Sequence, residues 1–259
     1  MTPRSESEPI RLNRFLAQLG VGSRRSCDAL IEGGKVRVDG KRITDPGTRV
    51  VPGSQSVSVD GVKLDKPANR VVLLLNKPAG VVSTVTDPQR RPTVVQYCKR
   101  FARRRRLFPV GRLDVNTTGA LLLTNDGLLC YRLTHPSFGI RKTYSVRVRG
   151  AIDRTKLQRL RRMAGAKNDV DATSVDVVKE LEKESILRIT LVEGRNRQVR
   201  RMCDAVGLRV VRLKRTNFGP VSVRNLPVGS VRPLTKRELE RLSAITSEGA
   251  LRDGNRQAG

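Results

Sequence analysis

The sequence predicts an α+β protein in two parts, and three observations lead to that prediction. In the first part, over residues 10–64, apolar residues at helical spacing give way to alternating apolar residues and turn signals. In the second part, over residues 70–235, apolar runs typical of strands outnumber helical patterns and do not alternate as regular βαβ units would. A polar link containing Pro67 separates the parts, and residues 236–259 are expected to form a C-terminal helix and a flexible tail.

The first part is predicted to begin with two short helices. Apolar residues recur at helical spacing over residues 12–19, Ser23 can cap a second helix, and Gly33-Gly34 can end it. Alternating valines then flank turn signals at Asp39-Gly40 and Asp60-Gly61, which is typical of hairpins. The first part is therefore expected to be a compact module with arginines along its helices.

The second part is predicted to contain a mixed sheet. The continuous apolar run over residues 71–75 is typical of a buried central strand. Val199, Met202 and Val206 share one face of a predicted helix that Gly207 ends. Further strands are predicted at residues 121–123, 144–148 and 186–191, and a last helix at 239–245 before a polar tail from Ser247.

The strongest compositional signal is charge. Lysine and arginine number 52 against 24 acidic residues, which gives a formal net charge of +28. Such an excess favours a polyanionic partner, and nucleic acid is the commonest, because each neutralised phosphate releases bound counterions. The sequence shows no long apolar span, signal peptide or basic amphipathic anchor, so we expect a cytoplasmic protein with no membrane partner.

Metal and cofactor sites are not expected. The four cysteines are scattered without a Cys-x-x-Cys pair, and His135 is the single histidine. This pattern argues against a zinc site and a disulfide framework and favours four reduced thiols. The glycine pair at residues 20–22 follows a helical pattern rather than a strand, so a dinucleotide-binding loop is not expected either.

The most unusual segment, residues 109–119, places the carboxylate of Asp114 among glycines, Arg112 and small hydroxyl residues. An aspartate in such a turn commonly accepts hydrogen bonds from neighbouring backbone amides, so a structural role is one interpretation. A catalytic carboxylate is the other, and spacing alone does not choose between them.

The first part resembles the S4 domain, a small RNA-binding module found in a ribosomal protein and in several RNA-modifying enzymes. The similarity lies in Arg-Leu-Asn-Arg-Phe-Leu at residues 11–16, Gly-Ser-Arg-Arg-Ser at 22–26 and Gly-Lys-Val-Arg-Val-Asp-Gly at 34–40. The resemblance implies an RNA-binding role for the cations within these segments. They are Arg11, Arg14, Arg24, Arg25, Lys35 and Arg37.

The second part resembles the bacterial rRNA pseudouridine synthases that carry an S4 domain, and most of all their large-subunit branch. The segment Gly-Arg-Leu-Asp-x-x-Thr-x-Gly at residues 111–119 is similar to the signature that holds the essential aspartate of this family. Four further segments follow the order of the family. They are Leu73–Gly80 for the opening strand and turn, Arg141–Tyr144 for the active-site tyrosine, Glu193–Met202 with its Gln-x-Arg, and Arg212–Arg215 before Phe218-Gly219-Pro220.

The resemblance implies a role for each residue that it covers. Asp114 is the expected catalytic carboxylate, Arg200 the basic partner that favours its charged form, and Tyr144 a group beside the target base that assists loss of a proton. By its strand pattern alone, Tyr144 is explained as well by packing. The residues expected to bind substrate are Arg112, Leu213, Arg195, Asn196 and Gln198. Pseudouridylation has no net redox change, so no cofactor is expected, and attack by Asp114 on the ribose, attack on the base and removal of a ribose proton all stay open.

Two rival functions fit the sequence less well. A non-catalytic S4-type rRNA-binding or ribosome assembly factor would not need a carboxylate among phosphates, and an S4-bearing methyltransferase would need a glycine-rich loop where this chain has Asn-Lys-Pro-Ala-Gly at residues 76–80. The basic runs at residues 99–106 and 154–162 fit phosphate contacts or solvated faces equally well. The sequence therefore predicts a monomeric enzyme that isomerises one uridine of 23S rRNA, with 16S rRNA or a pre-ribosomal particle as the alternative substrate.

Overall fold

The computed structural model describes residues 8–19, 21–64, 70–102, 106–165 and 173–257. The chain forms two compact units: the first extends to Val71 and takes in Ala102–Arg106 and Asn125–Leu128, and the second begins at Val72. Both units combine helices with mixed or antiparallel sheets, so the predicted α+β class is confirmed. None of the helices in the described ranges combines the length and apolarity that a membrane crossing requires.

The first unit contains the two predicted helices and a four-stranded antiparallel sheet of order β3-β2-β5-β6, and β1 pairs separately with β4. Its elements are β1 (Ile10–Arg11), α1 (Leu12–Gln18), α2 (Arg24–Glu32), β2 (Val36–Val38), β3 (Lys41–Ile43), β4 (Arg49–Val50), β5 (Val57–Val59) and β6 (Val62–Lys63). Ser23 caps α2, because its hydroxyl accepts a hydrogen bond from the Ser26 amide at 3.1 Å. The helix predictions for this part are confirmed.

The hairpin turns of the first unit have the backbone that their sequence predicts. Asp39 and Gly40 have φ of 48° and 80°, and Asp60 and Gly61 have φ of 49° and 81°. Two successive positive φ angles match the twist of the flanking strands, which is why Asp-Gly is favoured at such turns. The two hairpins pair β2 with β3 and β5 with β6.

The second unit is organised by a nine-stranded sheet whose main order is β11-β12-β10-β13-β9-β7-β15, with β14 paired to β13 and β8 to β9. The elements from Val72 onward are β7 (Val72–Lys77), a 3-10 turn (Val94–Cys98), α3 (Lys99–Ala102), β8 (Phe108–Pro109), β9 (Thr118–Thr124), α4 (Gly127–Thr134), a second 3-10 turn (Pro136–Phe138), β10 (Lys142–Arg149), α5 (Arg154–Ala164), β11 (Ser174–Glu180), β12 (Glu184–Leu191), α6 (Gln198–Asp204), β13 (Arg209–Phe218), β14 (Val221–Ser222), β15 (Val231–Pro233) and α7 (Lys236–Gln257). All six residues of β7 are buried, as the apolar run predicts for a central strand.

Two apolar cores lie along this sheet. One joins Leu74 of β7 and Leu122 of β9 to Leu133 of α4 and Leu242 of α7. The other surrounds β10 and β12 with α5 and α6. The halves meet where β9 runs parallel to β13, and the loop that carries Asp114 leads into β9 at that junction.

The C-terminal segment differs from its prediction. The helix expected at residues 239–245 is part of α7, but α7 continues to Gln257 instead of giving way to a loose tail at Ser247. Leu239 and Leu242 pack on the first core and fix the start of the helix. Later residues can then extend it without the cost of nucleating a new helix. The loose tail was predicted because residues 247–257 are polar. Polarity shows only that the segment has no apolar face, and a helix can continue without one.

Gly119 makes the junction between β9 and β13 possible. Its φ is +104°, and a Cβ built at this position would lie 2.1 Å from the backbone oxygen of Arg215 on β13. Both the backbone angle and the close approach of a neighbouring strand require glycine here.

We expect Gly119→Ala to lower the free energy of unfolding by about 2–5 kcal/mol, since the left-handed backbone and the overlap with β13 both oppose the added methyl group. Gly139→Ala is the matched control, because Gly139 also has a positive φ of 62° but has open space where the Cβ would lie. That control should lose only about 1 kcal/mol. Urea unfolding of both variants measures the difference, and equal losses would contradict the packing argument.

Candidate active site

A cleft of about 1410 Å³ lies within the second unit. It is lined by the loop that carries Asp114, the ends of β10 and β13, and the segment that enters α6. The structure brings together all eight second-part residues that the sequence analysis selected. They are Asp114, Tyr144, Arg200, Arg112, Leu213, Arg195, Asn196 and Gln198.

The loop that carries Asp114 is held by its own backbone and by Ser83. The Ser83 hydroxyl donates to the Leu113 carbonyl at 2.8 Å and accepts from the Leu113 amide at 3.1 Å. The Thr117 amide donates to the Asp114 carbonyl at 3.0 Å, so the chain turns sharply just after the carboxylate. These contacts fix the main chain of Asp114 and leave its side chain about one third exposed in the cleft.

Lys77 holds this loop from beneath. It is fully buried at the end of β7, and its ammonium donates to the backbone carbonyls of Pro78, Asp114, Val115 and Thr117 at 3.0, 3.2, 2.9 and 3.0 Å. Four acceptors around three hydrogens mean that at least one hydrogen is shared. Burial lowers the pKa of Lys77 to about 8, and the charge of Asp114 opposes that shift. The ammonium thus ties β7 to the backbone of the loop.

Two arginines face the Asp114 carboxylate. Arg197 Nη1 lies 3.8 Å and Arg200 Nε 4.0 Å from Asp114 Oδ2. Arg200 extends from α6, is largely buried, and its Nε has no hydrogen-bond partner among the described residues. These distances are ion-pair distances rather than hydrogen bonds, so the cations place positive charge beside the carboxylate without occupying its lone pairs.

The cleft contains two other carboxylates, and both are already engaged. Asp87 accepts three hydrogen bonds from Arg91, two from its side chain and one from its amide, and the pKa of Asp87 is lowered to about 2 by these bonds. Glu193 pairs with Arg195 Nε at 2.7 Å. Of the acidic groups that line the cleft, Asp114 therefore keeps the most freedom to react with a bound molecule.

The floor of the cleft near Tyr144 is strongly positive. Lys142 and Arg215 are 8% and 3% exposed, and Lys142 Nζ donates to the Val192 carbonyl at 2.7 Å. Burial lowers the pKa of Lys142 to about 8, and the charge of Arg215 adds to the shift. Leu213 is buried on the same strand as Arg215 and gives this region an apolar wall.

The mouth of the cleft carries polar groups free to meet a ligand. Arg112, Arg195 and Asn196 are exposed, and Gln198 accepts a hydrogen bond from the Arg195 amide at 3.1 Å. Gln198 therefore shapes the turn before α6 as well as lining the cleft.

The cations selected in the first unit lie on its surface. Arg11, Arg24, Arg25, Lys35 and Arg37 are exposed and Arg14 is half-buried. Arg37 also donates to the Gly40 carbonyl at 3.0 Å across the hairpin. The set is accessible to a polyanion, as an RNA-binding role requires.

Two cleft residues, Arg197 and Arg215, and the buried Lys77 beneath the Asp114 loop were not selected from the sequence. Arg197 lies one position before the selected Gln198, within a segment already recognised as important. Lys77 is a cation at the end of a strand that begins with an apolar run, and this change in the pattern was the available signal. Arg215 gave no signal of its own, because a cation in a chain with 52 lysines and arginines is not conspicuous.

Comparison with known proteins agrees with this geometry. The family described as RNA pseudouridylate synthase matches residues 71–205, and the S4 domain matches residues 10–56. The chain is 40% identical to the ribosomal large subunit pseudouridine synthase B of Bacillus subtilis, over 92% of this chain and 98% of the relative, and 43% identical to an uncharacterized RNA pseudouridine synthase of Mycobacterium tuberculosis, over 93% and 96%. A crystal structure of a pseudouridylate synthase superposes with a TM-score of 0.60 at 28% identity, covering 90% of this chain and 99% of that one.

We expect Lys77→Met to lower the free energy of unfolding by about 2–4 kcal/mol and to impair whatever chemistry Asp114 performs, because it leaves buried carbonyls without a donor. Lys179→Met is the control, since Lys179 is exposed on β11 in the same unit. Urea unfolding and the activity of the folded fraction are the measurements. Full activity in a folded Lys77→Met protein would show that the loop keeps its form without the ammonium.

A pH prediction follows from Lys142. Because its pKa in the folded state is near 8, below the ordinary 10.5, the unfolded chain binds more protons between these values and stability due to this group rises with pH across that window. The unfolding free energy of the wild type minus that of Lys142→Met should therefore increase from pH 8 to pH 10.5, by at most about 3 kcal/mol. The wild type gains stability over this range, and the variant lacks the group that causes the gain. Urea unfolding at pH 7, 8, 9 and 10 tests this, and a difference that is constant with pH would refute it.

Proposed function

Since the chain belongs to the RNA pseudouridylate synthase family, we propose that it converts one uridine of large-subunit (23S) ribosomal RNA to pseudouridine, with Asp114 as the catalytic carboxylate. The observation that carries the assignment of Asp114 is its environment. Of the cleft carboxylates, it is the one faced by two arginines that approach no closer than 3.8 Å, while Asp87 and Glu193 are bound by arginines of their own.

The protein's main contributions to this reaction are to position the reacting groups and to supply charged side chains beside them. The bond between N1 of uracil and C1′ of the ribose breaks, the base turns, and C5 joins C1′ in its place. Asp114 must be ionised to act as a nucleophile or base at this stage, and Arg197 and Arg200 lie within 4.0 Å of its carboxylate.

Tyr144 and Leu213 are proposed to hold the target base. A base inside an RNA helix is out of reach, so the uridine must leave its stack to enter the cleft. The ring of Tyr144 offers a stacking surface and Leu213 an apolar contact, and both line the cleft that holds Asp114. Tyr144 is further proposed to assist loss of the C5 proton once C5 is joined to the ribose.

The choice of ribosomal RNA rests on the relatives and on charge. Relatives from Bacillus subtilis and Pseudomonas aeruginosa, both 40% identical, are named ribosomal large subunit pseudouridine synthase B. The net charge of +28 and the exposed cations of the S4 unit suit a large, structured polyanion. With ribosomal RNA as substrate, we also propose that the protein works in the cytoplasm.

The proposal is tested by mapping pseudouridine on both ribosomal RNAs with carbodiimide modification and primer extension. Cells with the wild-type protein, without it, with Asp114→Asn and with Asp176→Asn are compared, Asp176 being a carboxylate on β11 outside the cleft. We expect one large-subunit site to disappear in the deletion and Asp114→Asn strains and to persist with Asp176→Asn, because an amide cannot serve as nucleophile or base.

The other outcomes separate the alternatives. A site that disappears only on deletion moves the chemistry away from Asp114. A site on the small-subunit RNA corrects the substrate, and no lost site on either RNA favours the binding-factor function.

A further inference from the structure

Tyr144 has a buried cation as its neighbour across the sheet. Tyr144 on β10 and Arg215 on β13 are directly opposed partners of adjacent antiparallel strands, so their side chains share one face. Arg215 is 3% exposed and lines the same cleft as Tyr144. Burial lowers the pKa of Arg215, and the nearby Tyr144 partly offsets that shift.

Arg215 is anchored on one side and unsatisfied on the other. Its Nε donates to the Ala120 carbonyl of β9 at 2.7 Å, and its guanidinium lies 5.1 Å from the centre of the Phe218 ring. Its Nη2 is buried without a hydrogen-bond partner among the described residues. Within that part of the chain, neither Arg215 nor Lys142 forms an ion pair with a carboxylate.

Such an arrangement is costly for folding alone. A buried charge without a partner destabilises a protein by several kcal/mol, and an apolar side chain of similar volume would pack here without that cost. The anchor to Ala120 explains why the guanidinium stays in place but not why it is charged. The positive charge is explained if an oxygen that becomes negative during the reaction lies beside it.

We propose that Arg215 is a positioning residue for the isomerisation, which holds the Tyr144 hydroxyl toward the cleft and stabilises its oxygen as the C5 proton is removed. The inference rests on the proposed function and adds a residue that acts on the base through Tyr144. Because Nε is tied to β9, the strand that the Asp114 loop enters, Arg215 also links the tyrosine to the carboxylate side of the cleft.

The step balances without a co-reactant. After C5 joins C1′, the C5–H bond breaks and its electron pair restores the conjugated ring. The Tyr144 hydroxyl proton first passes to solvent water, and the tyrosinate oxygen then takes the C5 proton, which returns the hydroxyl. N1, which lost its bond to C1′, takes up a proton from solvent. A guanidinium donating to the same oxygen stabilises the negative charge that it carries between these transfers.

The test uses the full-length protein and RNA substrate containing either ordinary uridine or uridine deuterated at C5. Wild type, Arg215→Met, Arg215→Lys and the control Lys214→Met are compared for kcat, KM and the deuterium isotope effect on product formation. Lys214 is adjacent on β13, points to the opposite face and does not line the cleft, so its variant removes the same charge from the same strand.

For Arg215→Met we expect kcat to fall about 100-fold with KM nearly unchanged, and the isotope effect to rise above that of wild type as C5–H cleavage becomes slower. Arg215→Lys, which keeps the charge but not the planar fork, should recover much of kcat and show an intermediate isotope effect. Lys214→Met should match wild type in both quantities. If Arg215→Met does not fold, the isotope effect of Arg215→Lys carries the test alone.

A loss of kcat with an unchanged isotope effect in both Arg215 variants would overturn the inference, because a residue that only supports the fold does not slow one chemical step selectively. An Arg215→Lys protein as impaired as Arg215→Met, with a wild-type isotope effect, would do the same. If the wild-type enzyme forms no pseudouridine from any ribosomal RNA, the proposed function itself fails. Active Arg215 variants with the isotope effect of the wild type would instead refute only the role of Arg215.

Discussion

A buried ammonium fixes the geometry on which the rest of the site depends. Lys77 ends a strand that is buried along its whole length, and it gathers four backbone carbonyls from the turn after β7 and from the Asp114 loop. A side chain that bound Asp114 through its carboxylate would have used the lone pairs that the reaction needs. Binding the main chain of Asp114 instead fixes its position and keeps its reactive atoms available.

The arginines around the cleft differ in how closely they approach its carboxylates. Arginines at hydrogen-bond distance bind two of the three carboxylates, and the two arginines that face Asp114 lie near 4 Å and leave its oxygens unoccupied. The buried cations at the floor, Lys142 and Arg215, have no acidic partner within the described residues. A cleft of this kind attracts an anionic polymer, and it also stabilises negative charge that appears on a base or a tyrosine oxygen only during the reaction.

The sequence predicted most of the fold and eight residues of the cleft lining, and the successes and the failures have different physical reasons. Hairpins at Asp39-Gly40 and Asp60-Gly61 follow from local backbone preference, and the buried strand β7 follows from a continuous apolar run, so a short window suffices for each. Lys77 and Arg215 act through contacts with residues about 40 and 95 positions away in the chain, which no local pattern contains. The length of α7 was missed because polarity reports the absence of an apolar face and not the absence of a helix.

The same geometry explains why chemistry and target choice can be separated in this protein. Breaking and remaking a bond to one ribose carbon involves the base, the sugar and the groups at the cleft floor, none of which depends on the neighbouring nucleotides. The exposed cations at the mouth, such as Arg112 and Arg195, and those on the surface of the S4 unit are proposed to meet the rest of the RNA instead. Phosphate contacts of this kind carry little sequence information, so selection of a single uridine must depend on the shape of the RNA that presents it.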